Sequence, residues 1–250
     1  MISCRIVLNE LPDNVIDQVL CVDEVTDQNP RWELISESPE SRCYKFTPRP
    51  NAHSWFVRWG HHYTWKHFRD SLISQDEATQ DWRNTGHAER HSIPVVHYRL
   101  LGTPRLLTGS LDTLLVTEFV ENSRNLKSFI GDSQSNPVEK EDAIIKLGEL
   151  LASIHSGGMQ HNHFSLENVL IQYDDATRLT ITDWYDMKLI GDGSPQSMSK
   201  DIKRILTDLR EIDHHEYDSF ITAYGQQMPW IHAEKESIIQ EVESSNALAH

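Results

Sequence analysis

From Ile154 the chain reads Ile-His-Ser-Gly-Gly-Met-Gln-His-Asn-His-Phe-Ser-Leu-Glu-Asn-Val-Leu-Ile, and from Leu179 it reads Leu-Thr-Ile-Thr-Asp-Trp. A helix must end here, a polar loop must follow, and two short apolar strands must close the segment. The helix is legible upstream. Pro137 stands at its start, acidic residues fill its first turn, and Ile144, Leu147, Leu151 and Ile154 recur at three- and four-residue steps. Gly157-Gly158 stops it. Asn168 and Asp183 then lie on either side of a Val-Leu-Ile strand, in a region crowded with His161, Asn162 and His163.

The N-terminal half has a different texture. Trp32 to Ile35, Arg42 to Phe46 and Trp55 to Trp59 are β-like runs separated by Ser-Pro and Pro-Arg-Pro-Asn clusters, which predicts a small antiparallel sheet. A polar helix is expected from about Gln75 to His91, anchored by Trp82 and stopped at Ile93-Pro94. Further strands are expected at Val95–Leu101 and Thr113–Val120, and helices at Ser199–Ile212, His215–Gly225 and Ile231–Ser244. A mostly antiparallel sheet with one helix inserted, followed by a mostly helical half, is an α+β order. The first thirty residues read equally as an extra strand and helix or as a partner-binding arm.

Composition excludes some functions. With 23 basic and 38 acidic residues the formal net charge is −15, a field that disfavours nonspecific binding to nucleic acid or an anionic membrane surface. Cys4, Cys21 and Cys43 form neither a disulfide framework nor a zinc pattern, so a reducing cytoplasm is the expected setting. Pro12, Asp13 and Asn14 interrupt the only early apolar run, and no run of about eighteen apolar residues occurs. A soluble chain without a cleaved signal or a transmembrane segment is expected.

The loop resembles a protein-kinase catalytic loop, His-Arg-Asp-Leu-x-x-x-Asn. His161 takes the first place, Asn162 the Arg place, His163 the Asp place and Asn168 the Asn place. Asp183, followed by Trp184 and Tyr185, stands where a kinase has Asp-Phe-Gly. From about Trp32 to Tyr224 the chain is similar to the bacterial lipopolysaccharide core kinases, which phosphorylate Kdo or heptose sugars, and to their InaA-type relatives. Leu150 to His161 follows that family's Leu-His-x-x-Gly-x-x-His. Asp81-Trp82-Arg83 and Ser92-Ile93-Pro94-Val95-Val96 resemble its Glu-Trp-Arg and Gly-Ile-Pro-Val-Pro, and Leu115 to Val120 resembles the strand that enters a kinase hinge.

The resemblance implies a two-lobed, protein-kinase-like α+β fold: a small antiparallel-sheet lobe over 1–117 and a shortened, mostly helical lobe over 118–250, in one kinase-like domain. It implies ATP and Mg2+, with a phosphoryl group passed to a hydroxyl, such as one of Kdo or heptose, at the inner face of the cytoplasmic membrane. In this reading Arg58 and Asp81 set the phosphates and backbone groups at Glu118 and Val120 bind adenine. Asn168 and Asp183 hold magnesium, and His163 accepts the hydroxyl proton.

Three departures stand against that template. His163 replaces an Asp and lacks its charge, although a neutral imidazole still accepts a proton. Arg58 and Asp81 replace Lys and Glu, and Arg is not geometrically equivalent to Lys. The loop Ser36–Ser41, which should be glycine-rich to let backbone N–H groups reach phosphates, has no glycine and two carboxylates. Two other readings therefore stay open: a noncatalytic pseudokinase that binds a protein partner or senses nucleotide, and transfer of a different part of the nucleotide.

The fourteen histidines include the pairs His61-His62, His87/His91 and His214-His215, but no recognised zinc spacing. His155 and His161 read as structural supports of the loop. Trp55, Trp59, Trp65 and Trp82 are expected to pack under the small sheet.

Overall fold

Leu100 with Leu101, and Leu114 with Leu115, are neighbours in sequence and are all buried. Consecutive strand residues point to opposite faces, so the sheet that holds them must be covered on both sides. The computed structural model, which describes residues 4–25, 29–39, 41–61, 77–104, 112–173, 177–191, 193–212 and 217–244, shows how. The chain divides into one unit of Met1–Arg83 with Val96–Glu121, and a second of Asn84–Val95 with Asn122–His250.

In the first unit β1 (Cys4–Asn9), β2 (Trp32–Glu37), β3 (Ser41–Phe46), β4 (Trp55–His61), β5 (Tyr98–Pro104) and β6 (Asp112–Glu118) form an antiparallel sheet in the order β1-β5-β6-β4-β3-β2. On one face α1 (Asp13–Val19) and the turn after it lay Val15, Val19 and Val22 against Phe46, Val57, Leu100, Leu114 and Val116. On the other, Leu101 and Leu115 meet Ala78 and Trp82 of α2 (Glu77–Arg90). The first thirty residues thus supply an edge strand and a helix that cover the sheet, the first of the two alternatives the sequence allows. Trp55 and Trp59 pack against the α1 side as partly buried residues. Trp65, His62, His214 and His215 lie outside the described residues.

The second unit takes the chain from Asn84. It contains α3 (Leu126–Gly131), α4 (Pro137–Ser156), α5 (Pro195–Glu211), α6 (Asp218–Gly225) and α7 (Ile231–Ser244). A small sheet of β7 (Ser123–Asn125), β9 (Val169–Tyr173) and β10 (Thr177–Ile181) has the order β10-β9-β7, and β8 (Met159–Gln160) pairs with β11 (Lys188–Leu189). The Asn136 carboxamide oxygen accepts the Val138 N–H at 3.0 Å, with Pro137 at the first turn of α4, which satisfies a donor that every helix start leaves open. The same device, Ser194 capping ahead of Pro195, starts α5 four residues before the apolar periodicity that places its beginning at Ser199.

Ile144, Leu147, Leu151 and Ile154 are buried, as their spacing predicts. The expected strand at Val95 begins only at Tyr98, because the chain before it turns aside: Pro94 O accepts the Ile181 N–H at 3.0 Å and Val95 bridges to Ile181. That contact ties down the end of β10, directly before Asp183. Among the described residues no helix is long and apolar enough to cross a membrane.

Candidate active site

Two buried carboxylates on α5 hold the loop that follows β8. Asp201 accepts the backbone N–H of His161 at 2.9 Å and of Asn162 at 3.0 Å, and Asp208 accepts that of Leu166 at 2.8 Å. Asp201 is fully buried and Asp208 nearly so. A buried carboxylate is costly unless hydrogen bonds satisfy it, so these contacts are as necessary to α5 as to the loop. Burial pushes the Asp208 carboxyl up, against the Leu166 N–H that favours its charge. Asp201 also lies 3.3 Å from His155 Nε2, whose Nδ1 meets the Tyr224 hydroxyl at 2.8 Å. Lys127 of α3 bridges Glu167 in the loop to Glu211 at the end of α5.

His161 is buried between Phe164 and Trp184, and its Nε2–H donates to Thr182 O at 3.2 Å. Desolvation drives its pKa down to about 4, so the ring is neutral at physiological pH. Both His155 and His161 therefore support the loop through hydrogen bonds. Asn162, at φ 65°, sits in the left-handed region that Asn tolerates better than most residues. Its amide donates to Asp186 O at 2.7 Å. Asp183 has φ 65° as well. The segment after it is held by Asn84, whose amide donates to Trp184 O at 2.8 Å and to Tyr185 O at 3.3 Å.

These restraints bring three of the sequence-predicted residues together. The Asn168 amide nitrogen donates to His163 O at 2.9 Å and lies 3.5 Å from Asp183 Oδ2. Asn168 and Asp183 bring a carboxamide oxygen and a carboxylate, both hard donor types, into one neighbourhood, with the Asn168 nitrogen the atom that faces Asp183. Such a pair fits magnesium, which keeps several waters and uses few protein ligands beside phosphate oxygens. The His163 side chain is about half exposed; its Nε2 is 3.0 Å from the Tyr185 hydroxyl and 3.4 Å from Asp186 Oδ2.

The other predicted residues belong to the first unit. Arg58, opposite Cys43 and Leu115 in the sheet, lines a hollow of about 110 Å³ with Ser38, Ser41, Glu77 and Thr113. Asp81 is buried on α2. Glu118 ends β6, where its carboxylate is gripped by Arg99, which also bonds Glu10 at 3.0 Å. Val120 follows two residues on. The turn between β2 and β3 closes on itself: the Ser38 N–H donates to Ser41 O at 2.8 Å and the Ser41 N–H to Ser38 Oγ at 3.0 Å.

His87, on α2, and His91, just past its end, lie with their rings 5.0 Å apart. Arg90 lies 3.2 Å from His87 Nδ1, and among the described residues no group of three or more His, Cys, Asp or Glu is placed to hold a metal. Sequence reading missed Asp201, Asp208, Tyr185 and Asp186. The first two had a signal. They share the apolar stripe of Met198, Ile202, Ile205 and Leu209, and an Asp in such a stripe needs buried donors.

A six-stranded antiparallel sheet, a helical unit and an anchored loop carrying His163, Asn168 and Asp183 define an α+β chain of the protein-kinase-like class. Residues 29–224 match the model of the Lipopolysaccharide kinase (Kdo/WaaP) family, and the chain belongs to that family. The fold is also similar to a solved structure of WaaP in complex with acyl carrier protein. The TM-score is 0.67 and the identity 16%, over 96% of this chain and 97% of that one. No curated protein sequence matches the chain.

Proposed function

We propose that this chain is an ATP- and magnesium-dependent phosphotransferase that moves the γ-phosphoryl group to a hydroxyl of a lipopolysaccharide core sugar, Kdo or heptose, at the cytoplasmic face of the membrane. The juxtaposition of Asn168 and Asp183 on an anchored loop carries this reading. Phosphoryl transfer asks little covalent chemistry of a protein and depends on positioning and charge. Magnesium, when bound, would neutralise charge on the phosphates. Asn168 and Asp183 would hold it, Arg58 and Asp81 would set the phosphates, and backbone groups at Glu118 and Val120 would take adenine. The imidazole of His163 would accept the hydroxyl proton late in transfer, a task for which a neutral ring suffices.

The test is transfer of labelled phosphate from ATP to core oligosaccharide containing Kdo or heptose. Transfer that requires magnesium and is lost in Asp183→Ala is expected. No transfer by the wild-type chain at millimolar ATP to either sugar rejects the proposal.

The turn at Ser38–Ser41 favours a second reading, a noncatalytic chain that acts through a protein partner. The backbone N–H groups of Ser38 and Ser41 are used within the turn, whereas a phosphate-covering loop directs such groups at the ligand. Thermal unfolding with ATP separates the two. A ligand at a hundred times its Kd stabilises the folded state by about 2.7 kcal/mol. A magnesium-dependent rise in Tm that disappears in Asp183→Ala supports the enzyme, and no rise supports the second reading.

A further inference from the structure

His163 lacks the negative charge that its place in the loop pattern calls for, yet a carboxylate stands beside it. Asp186 Oδ2 is 3.4 Å from His163 Nε2, the Tyr185 hydroxyl is 3.0 Å from the same nitrogen, and the Tyr185 and His163 rings lie 5.1 Å apart with a 30° tilt. Both polar neighbours therefore face one side of the ring. Nδ1 meets no hydrogen-bond partner among the described residues.

A neutral imidazole has one N–H and one lone pair, and its surroundings choose which nitrogen carries which. A lone pair on Nε2 would face the Asp186 carboxylate and be repelled; an N–H there is attracted and finds the Tyr185 oxygen as a second acceptor. The carboxylate thus selects the Nε2–H form and puts the lone pair on Nδ1. Asp186 is itself held in place. Asn162 donates to its backbone oxygen at 2.7 Å, and the Asn162 N–H is bonded to the buried Asp201 at 3.0 Å. A continuous series of contacts runs from Asp201 through Asn162 to Asp186 and His163.

We propose that Asp186 is a positioning residue of the site: with Tyr185 it fixes the tautomer and orientation of His163, so that Nδ1 is the atom presented to the acceptor hydroxyl. The consequence for turnover rests on the phosphotransferase reading; the tautomer does not. In transfer the acceptor oxygen would form its bond to the γ-phosphorus as the bond from that phosphorus to the β,γ-bridging oxygen breaks and ADP leaves, and the hydroxyl proton would pass to Nδ1. The ring then carries a positive charge next to the Asp186 carboxylate, which supplies the negative charge missing at position 163.

The experiment is a long-range 1H–15N correlation of the 15N-labelled full chain at about pH 8, with His163 assigned from His163→Gln. The wild type is expected to show protonated Nε2 and bare Nδ1. Asp186→Asn places an amide N–H against Nε2 and is expected to move the ring toward the Nδ1–H form, as the wrong amide does in other carboxylate–imidazole pairs. Tyr185→Phe keeps the carboxylate and is expected to keep the wild-type pattern. In the transfer assay Asp186→Asn should lower kcat roughly ten- to a hundredfold with little change in KM, and Asp186→Glu should recover much of it. A wild-type ring found as Nδ1–H, or a tautomer unchanged by Asp186→Asn, overturns the proposal. The expected tautomers without transfer to any sugar leave Asp186 as the residue that sets His163 and reject the kinase reading instead.

Discussion

At the residue scale, His161 shows how burial converts a common side chain into a pH-dependent element. In the unfolded chain its imidazole binds a proton near pH 6.5; in the folded protein burial delays this to about pH 4. Between those values the unfolded state holds more protons, so stability falls as the pH drops through the window and is fully present above it. The full difference amounts to roughly 3 kcal/mol. Denaturant unfolding of the wild type at several pH values should show this decline, and His161→Phe should flatten it while starting from a lower plateau. An unchanged slope in the variant would assign the pH dependence elsewhere. The identity of His161 was legible in the loop pattern, but its burial between Phe164 and Trp184 was not, because rings that enclose it come from both ends of the segment.

At the element scale, the packing of α4 on α6 depends on Gly148. A Cβ there would lie 2.5 Å from Phe220 O and 3.1 Å from Ala223 Cβ, and a backbone oxygen cannot swing away as a long side chain can. Gly148→Ala gains about 1 kcal/mol of helix propensity, but overpacking of a close helix contact costs about 1–3 kcal/mol. A net loss of stability of about 1 kcal/mol or more is expected, read as a lowered midpoint in urea with α6 amides exchanging faster. A midpoint equal to or above wild type would show that the two helices separate freely. The α4 face was readable from its three- and four-residue spacing. The role of a glycine inside it was not, since close approach of another helix leaves no periodic mark.

At the scale of the whole molecule, the formal net charge of −15 repels anions at long range. For the nucleotide that the proposed function requires, long-range repulsion would slow encounter, and salt would screen it, with a Debye length of about 10 Å at 0.1 M. Stopped-flow measurement of Mg·ATP association should therefore show a rate that rises between low and moderate ionic strength. A rate that falls with salt would reveal a local basic funnel that outweighs the overall field. The acidity was evident in the composition, and the family resemblance in the loop motif and its flanking strands, which occupy short contiguous segments.

What the sequence determined by itself is the order of elements, the α+β class, the helix and strands around the loop, and the positions of His163, Asn168 and Asp183. Each of these rests on local periodicity, turn residues or fixed spacing, which a linear text preserves. Only the tertiary structure decided that Asp201 and Asp208, some forty residues downstream, hold the loop backbone, and that Asp186 rather than a neighbour on the loop faces His163. Those contacts follow from how α5 and the segment after Asp183 fold back over the loop. A buried carboxylate takes its meaning from the donors that reach it, and those are chosen by packing in three dimensions.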